Sequence, residues 1–313
     1  MAPQPQGGGP VTAVTTPGTG HASASGSRRP TPASRNRHPG RARRWIIGSI
    51  AIVVSFVVFL VPFVFVLLQA AKNPAEANQL GFSLPTDWQL WQNLQAVFQS
   101  GDGGILRAFW NSALLTVGSV TVMVVFSAMV GYVLQRRPSR WNGLINFFVL
   151  AGLIVPPAIV PTIWVLQGLN LFKTMGGMIL IEATFGLSFC ILLFRAFVAT
   201  IPKELDEAAV LDGAGPIRLF FGVVLPLLKP VIITVVLVQS VTVFNDFTNP
   251  LYFLPGSENA TVQQTLYAFQ SQSVSQLNLL FTDVLLITIP PLILYVFFNR
   301  QIVAGMTSGA VKG

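Results

Sequence analysis

Charge is the first thing this sequence lacks. Only 10% of its 313 residues are Asp, Glu, Lys or Arg, against 52% hydrophobic ones, whereas a soluble globular domain carries roughly 25% charged residues. A water-facing surface cannot be made from that mixture. Histidine and cysteine are nearly absent as well. His21 and His38 sit in a polar leader away from any carboxylate cluster, and Cys190 stands alone in an apolar run. A single cysteine excludes an intramolecular disulfide, a cysteine-based metal site and a redox pair, and reads as a small buried hydrophobe. No catalytic constellation, metal-ligand set or cofactor fingerprint is visible, and no GxxxxGK[ST] phosphate loop occurs, so the chain reads as neither an enzyme nor an ATPase.

What the sequence does have is long apolar runs. Several exceed the roughly 18 to 20 residues needed to cross a bilayer core, which predicts an all-α polytopic membrane protein. Six transmembrane helices are expected, at about 45–71, 109–134, 144–167, 177–199, 231–254 and 283–303. Residues 1–44 are rich in Pro, Gly, Ser, Thr and Ala and read as a disordered basic tail; residues 45–313 form the membrane domain. The tail's Arg28, Arg29, Arg35, Arg37, Arg41, Arg43 and Arg44 supply much of the formal +8 charge. Beside a first membrane helix they read as a topology anchor on anionic lipid, not a nucleic-acid site. Arg136, Arg137 and Arg140, then Lys203, Arg218 and Lys229, fall on the same side as the leader. The loops 72–108, 168–176 and 255–282 are poor in Lys and Arg and belong outside. Both termini are therefore expected in the cytoplasm of a cell-membrane protein, with Trp45 and Trp141 as interfacial anchors. An NAT sequon at Asn259 falls outside and is too short a pattern to carry weight.

One cytoplasmic stretch, "KELDEAAVLDGAGPIRLFFGVVLPLLKP" from Lys203 to Pro230, interrupts the apolar text. Pro202 suits a first helical position, and Glu204, Asp206 and Glu207 suit the opening turns, where the helix dipole favours negative charge. Asp212-Gly213 stops that helix, since glycine takes the left-handed conformation that closes many helices. Pro216 starts a second short helix leading into the next crossing. The pattern predicts a helix-turn-helix elbow over 200–226, with Ala208 and Ala209 leaving room for another protein. An amphipathic helix lying at the lipid interface fits the same composition.

The residues go further. "EAAVLDGAGPIRLFFGVVLP" resembles the signature loop of ATP-binding-cassette importer permeases: Glu207, Ala208, Ala209, Gly213, Leu225 and Pro226 match, and Val223 replaces an isoleucine. "LIVPPAIVPTIWVL", "FNDFTNPLYFL" and "NRQIVAGMTSGAVKG" resemble the carbohydrate-uptake branch, similar to the maltose permease. The resemblance spans about 45–313. It implies that the elbow couples to a cytoplasmic ATPase through Glu207, Ala208, Ala209, Asp212, Gly213 and Pro226, and that ATP-Mg is bound by two partner ATPase subunits, not by this chain. It further implies a second permease subunit, an extracytoplasmic solute-binding protein and a sugar or related polar solute. The terminal GAVKG resembles tails that approach the ATPase pair.

A hydroxylated solute needs hydrogen-bond partners inside hydrocarbon. Gln239, Thr242, Asp246 and Asn249 recur at helical spacing, which predicts a polar stripe on one face of the fifth crossing, with Asn245 at its edge. The stripe reads either as a substrate path or as interhelical glue. Glu182 is a second intramembrane acid, and Arg195 reads as snorkelling to headgroups. Trp164 and Tyr252 are candidate stacking residues. Pro156, Pro157, Pro161 and the pair Pro290-Pro291 predict interruptions in the third and sixth crossings. The alternative function is a self-sufficient secondary transporter or channel in which Asp246 and Glu182 carry protons or cations; the halves show no convincing self-similarity.

Overall fold

The computed structural model describes the backbone of residues 40–100, 104–272 and 276–310, and the side chains of 46–100, 104–267 and 276–298. Of the predicted tail only residues 40–44 are described, and they are helical and not disordered; of the terminal GAVKG the backbone of Gly309 and Ala310 is described, inside the last helix, and 311–313 lie outside the described residues. The chain divides into two compact units, residues 1–54 and residues 55–313. In the first, residues 40–54 are helical throughout.

Among the described residues the regular structure is entirely helical, because in hydrocarbon a helix satisfies its own backbone. In chain order the helices are α1 (Gly40–Ala71), α2 (Pro74–Ala77), α3 (Leu90–Gln99), α4 (Gly104–Arg136), α5 (Asn142–Ile154), α6 (Ile159–Gly168) and α7 (Met175–Val198). There follow α8 (Glu204–Leu211), α9 (Pro216–Leu219), α10 (Leu225–Leu227), α11 (Lys229–Phe244), α12 (Thr248–Phe253), α13 (Val262–Gln272) and α14 (Leu277–Ala310). A π-helical turn, Phe220–Val224, joins α9 to α10. Four helices, α1, α4, α7 and α14, are long and apolar enough to cross a bilayer, and the bent pairs bring the number to 6 if each is one span.

The bends bear on two crossings. In the third the interruption expected at the prolines is present, so 144–167 is two helices and not one: α5 and α6 meet at 120°, with Pro156 and Pro157 in the break and Pro161 inside α6. Proline lacks the donor a continuing helix needs and pushes the preceding residue out of the helical region. The fifth is not one helix over 231–254. It stops at Phe244 and resumes at Thr248, and below α11 the run from Pro216 to Leu227 turns away by 74°. In contrast, Pro290 and Pro291, expected to interrupt the sixth crossing, lie inside a continuous α14. Their missing donors remove ladder bonds there without ending the helix.

The centre of the second unit is the α4–α7 pair. Lipid gives helices no hydrophobic drive towards each other, so close approach rests on small residues. At Gly131 an added Cβ would lie 2.9 Å from the Phe194 Cβ and 3.0 Å from the Arg195 backbone nitrogen. At Gly186 it would meet the Met123 sulfur at 2.5 Å. Around these contacts Leu115, Met123, Ala128, Cys190, Phe194 and Val198 are buried.

The end of α1 shows how exposed helix termini are closed. Its last carbonyls have no partner within the helix, and α3 supplies them: the Asn93 amide donates to the Ala70 and Lys72 carbonyls at 2.8 and 2.9 Å, and the Gln89 N–H donates to Ala71 at 2.8 Å. Asn278 of α14 donates to the Asn93 side-chain oxygen at 2.7 Å. The buried Lys72 ammonium donates to the Gly81 carbonyl at 2.6 Å. Beyond this junction the Thr86 hydroxyl and backbone N–H donate to Glu76, and the hydroxyl bond holds that carboxyl below its ordinary pKa.

The backbone contact at Gly131 gives a direct test. Gly131→Leu inserts a side chain where backbone atoms leave no room, with an expected loss of about 1–3 kcal/mol or more. Its thermal unfolding midpoint in detergent falls, while that of Gly176→Ala, where an added Cβ meets nothing within 4 Å, stays at the wild-type value.

Candidate functional site

The elbow forms as its local sequence dictates, with one adjustment. The helix α8 begins at Glu204, two residues after Pro202, and carries Glu204, Asp206 and Glu207 in its first turn. At its other end Gly213 has φ +81°. The Ala214 N–H donates to the Ala209 carbonyl and the Gly213 N–H to the Val210 carbonyl, both at 3.0 Å. This is the Schellman pairing, which closes orphan carbonyls only if the residue after the cap is left-handed. Gly215 and Pro216 then open α9, and the buried Leu219, Phe220, Val224 and Leu228 seat the second arm in the core.

Glu207, Ala208, Asp212, Gly213 and Pro226 are exposed. Ala209 is not: it is half-buried and packs on the main core, so the room predicted for a partner exists at Ala208 and not at Ala209. The elbow also presents two apolar side chains that sequence reasoning passed over, Leu211 at 88% and Ile217 at 76% exposure. A groove of about 460 Å³ runs beside α8, lined among others by Arg137, Lys203, Glu207, Val210 and Leu211. Arg195 does not simply snorkel. Its guanidinium donates to Gln135 of α4 at 3.3 Å and to Asn146 of α5 at 2.6 Å.

The polar stripe of the fifth crossing is divided. Gln239 is buried on α11, and its side-chain oxygen lies beside Gly186. The Thr242 hydroxyl donates back to the Val238 carbonyl at 2.9 Å. Asn245 caps α11, donating to the Val241 carbonyl at 2.9 Å and accepting from Gln263 at 3.1 Å. Asp246 lies in the break, where its Oδ1 accepts from the N–H groups of Thr248 and Asn249 at 2.8 and 3.2 Å. It therefore closes the first N–H groups of α12 from one residue before the N-cap, Phe247. The Asn249 amide joins two acids, donating to Asp246 Oδ2 at 2.5 Å and to Glu182 Oε1 at 3.3 Å. Asp246, Asn249 and Glu182 thus come together; Gln239 and Thr242 do not join them. Trp164 and Tyr252 are exposed, at 66% and 44%. Among the described residues no group of 3 or more His, Cys, Asp or Glu could hold a metal ion.

Residues 123–308 match the family described as the binding-protein-dependent transport system inner membrane component. The chain belongs to that family. It is accordingly a transport subunit and not an enzyme, and the family places it in the inner membrane. This permease is 30% identical over 86% of its length, and 90% of the relative's, to the diacetylchitobiose uptake system permease protein NgcG of Streptomyces coelicolor. It is 28% identical over 86% of its length, and 96% of the relative's, to the melibiose/raffinose/stachyose import permease protein MelC of Bacillus subtilis. A solved bacterial transporter that imports the acidic polysaccharide alginate has a chain of the same fold, with a TM-score of 0.72 at 20% identity, covering 83% of this chain and 97% of that one. A self-sufficient secondary transporter or channel is not favoured by this family membership.

Capping and charge at Asp246 are separable. Asp246→Ala removes the side chain that starts α12 and lowers stability by about 1 kcal/mol, whereas Asp246→Asn retains a capping oxygen and loses only a few tenths. Thermal unfolding of the two purified variants in detergent checks the order, and a transport defect shared by both would trace to the carboxylate charge.

Proposed function

We propose that this permease translocates a sugar or related polar solute into the cytoplasm by alternating access, driven by two ATPase subunits that bind ATP-Mg and dock on the elbow. A second permease subunit completes the pathway, and an extracytoplasmic solute-binding protein delivers the solute to the loops on the opposite side. Both termini and the elbow are cytoplasmic, following the Lys and Arg asymmetry of the loops. The observation that carries the reading is the elbow itself: a short helix closed at Gly213 and exposed along Glu207, Ala208, Leu211 and Asp212. An exposed apolar tip rimmed by charge is a surface made for a partner. Relatives named for diacetylchitobiose uptake and for melibiose, raffinose and stachyose import support the solute class.

In the membrane, the break at Asn245–Phe247 exposes acceptors and donors that a continuous helix would hide. Asn245, Asp246 and Asn249, with Gln239 and Thr242 one to two turns away on α11, offer hydroxyl-binding groups along a path beside Glu182. Such a path exchanges the solute's hydration for side-chain hydrogen bonds, which keeps the crossing free of unsatisfied polar groups.

Copurification from membranes tests the assignment. Wild-type protein is expected to bring down an ATPase; Glu207→Lys, which reverses charge on the exposed face of α8, and Gly213→Pro, which cannot adopt φ +81°, lose the ATPase or its solute-dependent stimulation while still inserting. A wild-type chain that is isolated without an ATPase and still transports in liposomes would overturn it.

A further inference from the structure

Of the three acids in the first turn of α8, Glu204 and Glu207 are exposed and Asp206 is turned inward. All three suit the helix dipole, so the dipole does not explain why one of them is buried. What Asp206 meets is the last turn of α4. Arg136 Nε lies 3.0 Å from Asp206 Oδ2, with the two side chains 7% and 15% exposed, and the Tyr132 hydroxyl donates to the same oxygen at 3.2 Å. The other carboxylate oxygen is buried and makes no hydrogen bond among the described residues. Arg136 also donates to the Ile201 carbonyl at 2.7 Å. The neighbouring Arg137 and Arg140 are exposed. The buried carboxylate thus depends on α4 for its polar partners, and removing Arg136 would strand a charge.

The α4 helix reaches the other end of the unit without a break. Its 33 residues span about 50 Å. Near its start the Asn111 amide donates to the carbonyls of Glu258 and Ala260 at 3.0 and 3.1 Å, and the Ser112 hydroxyl accepts from the Val262 N–H at 3.0 Å. One rigid element therefore grips the elbow at one end and the loop before α13 at the other. Along its length the Gly131 backbone contact locks it to α7, and at its last turn Gln135 receives Arg195.

We infer that Asp206 is a positioning residue for transport, acting through Arg136 and Tyr132 as a strut that passes movement of the elbow into α4 and on to the Ser257–Val262 loop. The inference rests on the proposed ATPase docking at the elbow, and deepens it by naming the route inside this chain. Glu207 faces the partner; Asp206, one residue earlier, faces α4. Loss of the strut then separates ATP hydrolysis from solute movement without loss of docking.

The test uses the assembled transporter in proteoliposomes, and compares Asp206→Asn, Arg136→Asp and the exchanged pair Arg136→Asp with Asp206→Arg. Three quantities are read: copurified ATPase, ATP hydrolysis rate, and solute moved per ATP. The expected result is normal copurification for Asp206→Asn, retained hydrolysis, and solute moved per ATP reduced by about two- to thirtyfold. Arg136→Asp is worse, and the exchanged pair recovers towards wild type. Wild-type coupling in Asp206→Asn, or an exchanged pair no better than Arg136→Asp alone, overturns the strut. A wild-type transporter that needs no ATPase overturns the docking reading instead, so the two failures are distinguishable.

Discussion

Every polar group of this chain that enters hydrocarbon must find its partner inside the protein, and most of the architecture follows from that constraint. Each unsatisfied backbone group in lipid costs several kcal/mol, so irregular backbone survives only where side chains, neighbouring helices or a water-filled cavity satisfy it. The break after α11 exists because Asn245 closes the helix behind it and Asp246 opens the one ahead. The end of α1 is closed by Asn93 of α3, itself held by Asn278 of α14. The same constraint turns polar side chains into points of function. On the proposed path, the groups that satisfy the broken helix would exchange those bonds for solute hydroxyls.

The elbow and the membrane cluster are linked through two helices that touch at glycine. At Gly131 α4 and α7 lie too close to leave room for a Cβ. Glu182, in α7, receives the amide of Asn249, and Tyr132, Gln135 and Arg136 of α4 gather Asp206 and Arg195. Packed interiors move as bodies and not as fluids. On the proposed coupling, a displacement of α8 would be carried by α4, with α7 held against it where the two helices leave no room for a side chain.

The sequence foretold what is local. The acid turn, the Asp212-Gly213 stop and Pro216 lie within a few residues of one another, and each acts on its own backbone, so the elbow was legible down to its left-handed glycine. The polar stripe misled because helical spacing was extended past Phe244. A signal to the contrary was present: Pro250 is tolerated only in a helix's first turn, and Asp246 before it is a capping residue. A helix continuing to 254 would have placed that proline in its interior. The pairing of Arg136 with Asp206 left no comparable trace. The two residues are far apart in the chain, each has like-charged neighbours, and only the fold selects which of three acids turns inward. The burial of Ala209 beside the exposed Ala208 was hidden for the same reason, since identical residues in tandem differ only in the face they occupy.

The most direct measurement is uptake of labelled oligosaccharides into proteoliposomes holding the permease with the subunits that copurify with it, in the presence and absence of enclosed ATP-Mg and of an external solute-binding protein. The account predicts uptake only when ATP and binding protein are both supplied, with hydrolysis rising as binding protein is added. Uptake by the chain alone, unchanged by ATP and by binding protein, would contradict it.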